Sequence, residues 1–208
     1  MKDDEIIIID YHIGNLNSIA NMIRKVGGKC KISSEVDDIL EAKKLILPGV
    51  GSFDHGMSQL IKSDLGDAIE EKALKDKIPF LGICLGAQLL TKGSEEGNIN
   101  GLGWLDSDTV RFNLDDRPEL KIPHMGWAEI KRNKKSALLE NLDDQSRFYF
   151  VHTYHFKPKR TDLILTTSQY GNYEFASALS KDNIYGVQFH PEKSHKFGMQ
   201  LMTNFLRI

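Results

Sequence analysis

The sequence has only two cysteines, Cys30 and Cys84, in 208 residues. So few cysteines exclude a disulfide framework and are typical of a reducing compartment. No apolar run approaches the roughly 20 residues that cross a bilayer. The acidic start, Met1-Lys2-Asp3-Asp4-Glu5, differs from the charged region of a signal peptide. We therefore expect a cytoplasmic protein that does not contact a membrane.

An excess of charge of one sign is also missing, with 27 lysines and arginines against 29 aspartates and glutamates. This balance gives no electrostatic reason to bind nucleic acid. The phosphate-binding motifs G-x-x-x-x-G-K-[ST] and, after the first strand, G-x-G-x-x-G are absent as well. The length and an apolar share of 40% predict one sizeable domain over residues 1–208.

Apolar runs alternate with helical spacing in the first half of the chain. Ile6–Ile9 is typical of a strand buried on both faces, and helical spacing follows from Leu16 to Val26. In the second half, short runs near residues 109–112, 128–130, 148–151 and 163–166 are separated by polar turns. The sequence therefore predicts a doubly wound, mainly parallel α/β sheet with antiparallel hairpins added in the second half.

A cysteine lies between two glycines where an apolar run ends. Gly82-Ile83-Cys84-Leu85-Gly86 follows the run that starts at Pro79, and the next residues can continue as a helix. This strand, turn and helix copy the nucleophile elbow G-x-S-x-G with cysteine in place of serine. A sulfur at the amino end of a helix is favoured as thiolate. Cys84 is a candidate nucleophile, and the alternative is a small apolar side chain in a buried strand.

A glycine-rich turn follows the predicted strand Leu45–Leu47. In Pro48-Gly49-Val50-Gly51-Ser52-Phe53, glycines on both sides of the valine let the main chain approach a ligand and turn its amides outward. Three interpretations stay open, namely a tight turn, a phosphate cradle and an oxyanion hole. The missing phosphate motifs make the second the weakest.

A histidine and a glutamate follow the last predicted strand, Ile184–Phe189. In His190-Pro191-Glu192 the proline ends strand pairing, and residues two apart in extended chain point to the same side. A carboxylate beside an imidazole orients the ring and raises its basicity. With Cys84 these residues complete a nucleophile, base and orienter set at the edge where a doubly wound sheet places its site.

Two further segments allow more than one interpretation. Pro123-His124-Met125-Gly126-Trp127 gathers methionine and tryptophan in a predicted loop, where they either pack on the protein's own core or mark a partner surface. His152 and His155 are three residues apart on a predicted strand and should face opposite sides. This geometry disfavours a shared metal ion, and we expect no metal site.

The motifs around Cys84 and His190 resemble the two signatures of class I glutamine amidotransferases. They are Gly82-Ile83-Cys84-Leu85-Gly86 with Gln88, and Gly186-Val187-Gln188-Phe189-His190-Pro191-Glu192. The resemblance implies the flavodoxin-like fold of that family and a triad of Cys84, His190 and Glu192 that hydrolyses glutamine without a cofactor. It further implies an oxyanion hole at Val50, Gly51 and Leu85 and a glutamine-binding set of Gly49, Gln88, His152, Thr153 and Tyr154.

More of the chain resembles the glutaminase subunits of imidazole glycerol phosphate synthases. The segments are residues 48–53, 123–127, 150–154 and 191–194. The resemblance implies that ammonia passes to a (β/α)8 synthase subunit in histidine biosynthesis, within a heterodimer. It implies that the oxyanion strand stays inactive until the partner binds and a peptide reorients. The implied partner-facing residues are Asn15, Pro123, Met125, Trp127, Tyr149 and Lys193.

Several positions depart from that pattern. His12, Ala87, Thr153 and His155 replace more usual residues, and the segment 194–199 is also uncommon. These departures resemble a paralogous branch that supplies ammonia to an ATP-dependent amidotransferase of nucleotide sugars in surface polysaccharide biosynthesis. A non-enzymatic alternative is a flavodoxin-like module that binds phosphate at residues 48–53. That module would keep its nucleotide affinity after Cys84→Ala.

Overall fold

The computed structural model describes residues 5–208, so most of the acidic start lies outside the described residues. The strands are β1 (Ile6–Ile9), β2 (Cys30–Ser33), β3 (Lys44–Leu47), β4 (Phe80–Ile83), β5 (Ser107–Arg111), β6 (His124–Arg132), β7 (Arg147–His152), β8 (Tyr154–Pro158), β9 (Ile164–Tyr170), β10 (Tyr173–Lys181) and β11 (Ile184–Val187). The α-helices are α1 (Leu16–Lys25), α2 (Val36–Glu41), α3 (Phe53–Lys62), α4 (Gly66–Glu70), α5 (Leu85–Leu89) and α6 (His195–Arg207).

These strands form one sheet with a parallel half and an antiparallel half. Its order is β2-β1-β3-β4-β11-β10-β9-β6-β7, with β8 joined to β10 and β5 joined to β8. The first five strands in this order run parallel. The others are added in antiparallel pairs. The predicted mainly parallel sheet with later antiparallel hairpins is therefore confirmed.

Helices cover both faces of the sheet, which explains why β1 is apolar throughout. Ile6 and Ile8 belong to an apolar cluster that includes side chains of α1 and α6. Ile7 and Ile9 belong to a second cluster, on the side of α2, α3 and α5. Each fully buried isoleucine contributes about 1.5–3 kcal/mol relative to exposure. The two-sided burial fixes the ends of the parallel strands, where the predicted site residues lie.

The structure corrects the sequence interpretation of the second half in two places. Residues 123–127 were predicted to form a loop, but His124 to Trp127 are the first part of β6 and pair with β7. Proline and glycine at 123 and 126 gave turn signals there that strand pairing overrides. The sequence interpretation also missed β10, whose buried residues include Ala176, Ser177 and Ala178 instead of large β-branched side chains.

No helix within residues 5–208 has both the length and the apolar character needed to cross a membrane.

Candidate active site

Cys84 occupies a strained turn between β4 and α5. Its backbone angles are φ 53° and ψ −112°, and residues other than glycine rarely adopt such a positive φ. Its N–H donates to the Val187 carbonyl of β11 at 2.8 Å, and its carbonyl accepts from the Gln88 N–H at 3.1 Å. The predicted strand, sharp turn and helix are confirmed. The helix is only five residues long, so its dipole at the sulfur is weaker than the sequence interpretation assumed.

The glycines of the elbow allow a close approach of main chains. A Cβ at Gly86 would overlap the carbonyl oxygen of Leu47 in β3. A Cβ at Gly82 would lie 2.7 Å from the Ala87 Cα. Both glycines therefore let α5 lie directly against β3 and β4, which holds Cys84 at the carboxyl edge of the sheet.

His190 and Glu192 form a buried pair beside this edge. The His190 Nδ1 and the Glu192 Oε1 are 2.7 Å apart, and each side chain is only 3% exposed. The contact is as predicted, but its geometry differs, because Pro191–Lys193 is a turn of 3₁₀ helix and not extended chain. A main-chain hydrogen bond fixes the His190 backbone, because its N–H donates to the Tyr149 carbonyl of β7 at 2.9 Å.

The His190 ring is polarised from both sides. Burial alone would lower its pKa, but hydrogen bonding and charge from Cys84 and Glu192 outweigh burial and raise the pKa to about 10. Within residues 5–208, its buried Nε2 has no hydrogen-bond partner of good geometry. Because Glu192 holds Nδ1, Nε2 is the nitrogen free to exchange a proton with the sulfur or with a leaving group.

A cleft of about 330 Å³ opens in front of Cys84. The cleft is lined by every member of the predicted glutamine-binding set except Gly49. Gly49 lies against Leu85, because a Cβ on Gly49 would be 2.9 Å from the Leu85 Cβ. The size of the cleft lies within the range for small-molecule sites. The lining residues are Val50, Gly51, Cys84, Leu85, Gln88, Glu96, Pro123, Val151, His152, Thr153, Tyr154, His190 and Lys193.

The predicted oxyanion donors are not all available in this conformation. The Leu85 N–H donates to the Gly49 carbonyl at 3.3 Å, so one of the three expected donors is already occupied. Gly51 has φ 97°, and Val50 between the glycines is 45% exposed. The buried Tyr11 hydroxyl donates to the Pro48 carbonyl at 2.7 Å and so restrains the start of this segment.

A cluster of three buried histidines lies behind the cleft. The His152 Nδ1 donates to the Tyr154 carbonyl at 2.7 Å, so its Nε2 accepts from the His124 Nδ1 at 3.1 Å. Burial lowers the pKa of His124 to about 4 and lowers the pKa of His152 well below its usual value. Burial also lowers the pKa of His155. All three rings are therefore uncharged at neutral pH.

The expectation that His152 and His155 face opposite sides was wrong. The chain bends at Thr153, between β7 and β8, and both rings pack against Phe112, with centroids 5.2 and 4.7 Å away. The strand periodicity used in the sequence interpretation does not continue through such a bend. Their ring nitrogens bond to the Tyr154 carbonyl, the Phe156 carbonyl, His124 and the Tyr173 hydroxyl.

Three of the six predicted partner-facing residues, Met125, Trp127 and Tyr149, lie on β6 and β7, and Lys193 lies beside them. Trp127 is opposite Tyr149 in the strand pairing, with ring centroids 5.9 Å apart, and the Lys193 Nζ lies 5.8 Å from the Tyr149 ring centroid. Met125 is 61% exposed and Trp127 is 45% exposed. Together, Met125, Trp127, Tyr149 and Lys193 form the β6–β7 face. Asn15 and Pro123 are also exposed.

Among the residues with contacts at the site, Tyr11, Glu96, His124 and Gln188 were not predicted. Tyr11 is hydrogen-bonded to the Pro48 carbonyl, His124 to His152, and Gln188 to Gln88. Glu96 lines the cleft, and its Oε2 accepts from the Phe53 N–H at 2.8 Å. Gln188 stood in the motif that signalled His190, so its position was visible in the sequence. Nothing in the spacing of the other three indicated the cleft, because the fold brings them there from distant segments.

The chain is similar to known proteins over nearly its full length. Residues 7–208 match the family model described as glutamine amidotransferase class-I. The chain is 54% identical over 202 residues to imidazole glycerol phosphate synthase subunit HisH 2 of Methanococcus maripaludis, covering 97% of this chain and 98% of that protein. It is 49% identical over 203 residues to the subunit HisH 2 of Pseudomonas aeruginosa, covering 98% and 99%.

Solved structures share the fold at lower identity. PurLQS from Thermotoga maritima superposes with a TM-score of 0.71 at 16% identity, covering 98% of this chain and 97% of that one. A glutamine amidotransferase from the same organism gives a TM-score of 0.63 at 20% identity, covering 92% and 77%. The family match and the identities above establish more than the fold: this chain belongs to the class I glutamine amidotransferases and, among them, to the family of imidazole glycerol phosphate synthase subunit HisH.

Proposed function

We propose that this chain is the glutaminase subunit of an imidazole glycerol phosphate synthase and supplies ammonia for histidine biosynthesis. The observation that carries the proposal is the meeting of Cys84 and the His190–Glu192 pair at one cleft, although Cys84 and His190 come from distant parts of the chain. The similarity to HisH subunits supports the pathway. The whole chain would form a single glutaminase domain, and its free cysteines fit a reducing cytoplasm.

The charges at the site fit attack by a thiolate. With its pKa raised to about 10, the His190 ring carries a proton at neutral pH and can pair with the anionic sulfur of Cys84. The sulfur attacks the side-chain amide carbon of glutamine, and His190 gives its Nε2 proton to the departing ammonia. The neutral ring then accepts a proton from water, which hydrolyses the γ-glutamyl thioester. Glu192 holds the ring through Nδ1 in both half-reactions.

The polar groups of the cleft suit the free amino acid. Both N–H groups of the Gln88 side chain are in use, at the Tyr154 carbonyl and the Gln188 Oε1, so Gln88 has only its Oε1 to offer a substrate. Glu96 adds an exposed carboxylate. The Gln88 Oε1 and the Glu96 carboxylate can both accept hydrogen bonds from the α-ammonium group of glutamine. The Glu96 carboxylate would also attract the positive charge of that group.

The occupied Leu85 amide supports an inactive resting state. A tetrahedral intermediate needs donors directed at its oxyanion, and the loss of one donor commonly costs about 10²- to 10³-fold in rate. Here the Gly49 carbonyl holds the Leu85 N–H, so a peptide of the 49–51 segment must turn before the hole is complete. The left-handed φ of Gly51 makes such a rotation inexpensive. We propose that partner binding drives it.

The β6–β7 face is the proposed docking site for a (β/α)8 synthase subunit in a heterodimer. Exposed methionine and tryptophan beside a half-buried tyrosine have the composition of an interface core. Lys193 belongs both to this face and to the lining of the cleft, and the exposed Pro123 also lines the cleft. A partner docked there would cover the cleft's mouth. Ammonia released at Cys84 could then pass to the partner without protonation by bulk water.

Replacing Trp127 by alanine should weaken docking of the partner by about 10- to 100-fold, because the change removes a large exposed ring from the centre of the face. The free energy of unfolding of the isolated chain should change little. Titration calorimetry with the purified partner measures the affinity. The matched control is Ile61→Ala on α3, which is 61% exposed and lies outside the face. An unchanged affinity for Trp127→Ala would place the interface elsewhere.

A second candidate has the same glutaminase chemistry but another partner, an ATP-dependent nucleotide-sugar amidotransferase. The observation in its favour concerns His195, which belongs to the uncommon segment 194–199. The His195 ring stacks on Trp127, with ring centroids 5.5 Å apart and an interplanar angle of 6°, and so adds an imidazole to the β6–β7 face. Co-purification of the native partner distinguishes the candidates, since a barrel cyclase supports the first and a sugar-modifying enzyme the second.

Covalent labelling tests the glutaminase proposal directly. A glutamine-mimicking electrophile should attach to Cys84 stoichiometrically, and excess glutamine should protect the thiol. Peptide mass spectrometry locates the adduct, and Cys30, whose sulfur donates to the Ala20 carbonyl in the core, serves as the internal control. Absence of an adduct at Cys84, together with tight nucleotide binding, would instead support a phosphate-binding module.

A further inference from the structure

We propose that Gln188 is a positioning residue that donates a hydrogen bond to the Cys84 sulfur and ties the nucleophile to Gln88 in the glutamine cleft. Gln188 follows β11 directly and is fully buried. Its Nε2 lies 3.8 Å from the Cys84 Sγ, within the range for hydrogen bonds to sulfur. The inference rests on the proposed function, because it takes Cys84 as the nucleophile.

The hydrogen bonds from Gln88 to Gln188 and from Gln188 to Cys84 form a relay, and a main-chain carbonyl fixes its direction. The Tyr154 carbonyl can only accept, so the group facing it at 3.3 Å must be the Gln88 Nε2. The other proton of that nitrogen points to the Gln188 Oε1 at 3.0 Å. Gln188 must then present its own Nε2 to the sulfur, because a flipped amide would set two donors against each other. The relay therefore ends in a donor directed at Cys84.

A donor at this position favours thiolate over thiol. Sulfur gains more from an N–H donor when it is charged, and burial strengthens the effect, since Gln88 is 5% exposed, Gln188 is 0% exposed and Cys84 is 8% exposed. Cys84 immediately precedes the short helix α5, and Gln88 lies within that helix. The relay thus closes a ring from the nucleophile, along α5, through both glutamines and back to the sulfur.

The ionisable groups around the sulfur come from several elements. His190 faces it from the end of β11, with Glu192 behind the ring, and Tyr11 interacts with it electrostatically from the end of β1. Glu96 and Lys193 line the same cleft. Gln188 is uncharged, so the replacement Gln188→Met removes the donor at the sulfur without adding or removing a charge.

The test compares two variants in a Cys30→Ala background, so that Cys84 is the only thiol. Gln188→Met keeps the approximate shape but removes the donor and the acceptor. Gln188→Glu keeps an acceptor for the Gln88 side chain and replaces the donor by a carboxylate. We expect the pH midpoint of the alkylation rate with iodoacetamide to rise by about one unit for the first variant and by more for the second. The kcat/KM for glutamine should fall at least about tenfold.

The outcomes separate this inference from the proposed function. Loss of activity with an unchanged midpoint in a folded variant would mean that Gln188 is merely structural, and the inference would fail. Unchanged activity and midpoint would overturn it as well. If the unmodified protein is not labelled at Cys84 by the glutamine mimic, the proposed function fails first.

A measurement on the unmutated side chain protects the test against misfolded variants. The side-chain amide resonances of Gln188, observed by ¹⁵N NMR, should shift over the same pH interval in which alkylation of Cys84 becomes fast. The exposed Gln145 provides the control amide. If the Gln188 resonances stay constant while the Cys84 alkylation rate changes with pH, no donor contacts the sulfur and the inference is wrong.

Discussion

Cys84→Ala is expected to reduce glutamine hydrolysis by at least about 10⁴-fold, because no other group in the cleft can form the thioester. In the complex with the synthase partner, product formation from added ammonium salts should continue at the rate of the unmodified complex. Release of glutamate and formation of product, followed in parallel with each nitrogen source, measure the two activities separately.

Cys30→Ala is the matched control for this experiment. Cys30 lies in β2, on the opposite side of β1 from the site strands, and should leave both activities intact. If Cys84→Ala abolished the ammonia-dependent reaction as well, the division of labour between two subunits would be refuted. If it left glutamine hydrolysis intact, the nucleophile would have to be another residue.

Acidification from pH 7 to pH 4.5 should reduce the free energy of unfolding by several kcal/mol. Unfolded histidines take up protons near pH 6.5, whereas the folded His124, with a pKa of about 4, does not until lower pH. The stabilisation is therefore present above pH 6.5 and is lost as the pH falls, by about 3 kcal/mol for His124 alone. His152 and His155, also lowered by burial, change stability in the same direction. Urea unfolding at several pH values measures the loss.

His124→Gln should make this loss smaller by removing one of the three buried rings, whatever it does to stability at pH 7. The matched control is His12→Gln, since His12 is exposed and should leave the pH dependence unchanged. An equal slope in the parent and in His124→Gln would show that other groups cause the acid sensitivity. His190 acts in the opposite direction, because its stabilisation is complete below pH 6.5 and is lost as the pH rises towards 10.

The sequence predicted the parallel half of the fold because its physical signals are local. A strand buried on both faces must be largely apolar, and all of β1 and Leu45 to Leu47 of β3 are. The elbow could be predicted for the same reason, since Gly82 and Gly86 give a strained turn its room at fixed spacing around Cys84. The antiparallel half was harder to predict, because β10 buries alanine and serine instead of large apolar residues. The Ser177 hydroxyl is accommodated by hydrogen bonds to the hydroxyls of Thr166 and Ser168 in β9.

Most of the site's chemistry depends on contacts that sequence spacing does not encode. The meeting of His190 and Glu192 was predicted from an extended chain, yet a 3₁₀ turn produces it. The relay through Gln188 needs the end of β11 beside α5. His124 and His152 meet through the pairing of β6 with β7, and His155 joins them because the chain bends after β7. The occupied Leu85 amide depends on which way one peptide turns, and glycines on both sides of Val50 permit both directions.

The position of β11 has a consequence for synthesis on the ribosome. This strand lies between β4 and β10, at the centre of the sheet, although it is translated after the ten other strands of residues 5–208. A growing chain therefore carries its nucleophile beside an unfilled gap until residues 184–187 emerge. Incomplete polypeptides would hold the thiol without its imidazole, so ammonia release would begin only after translation has passed this strand.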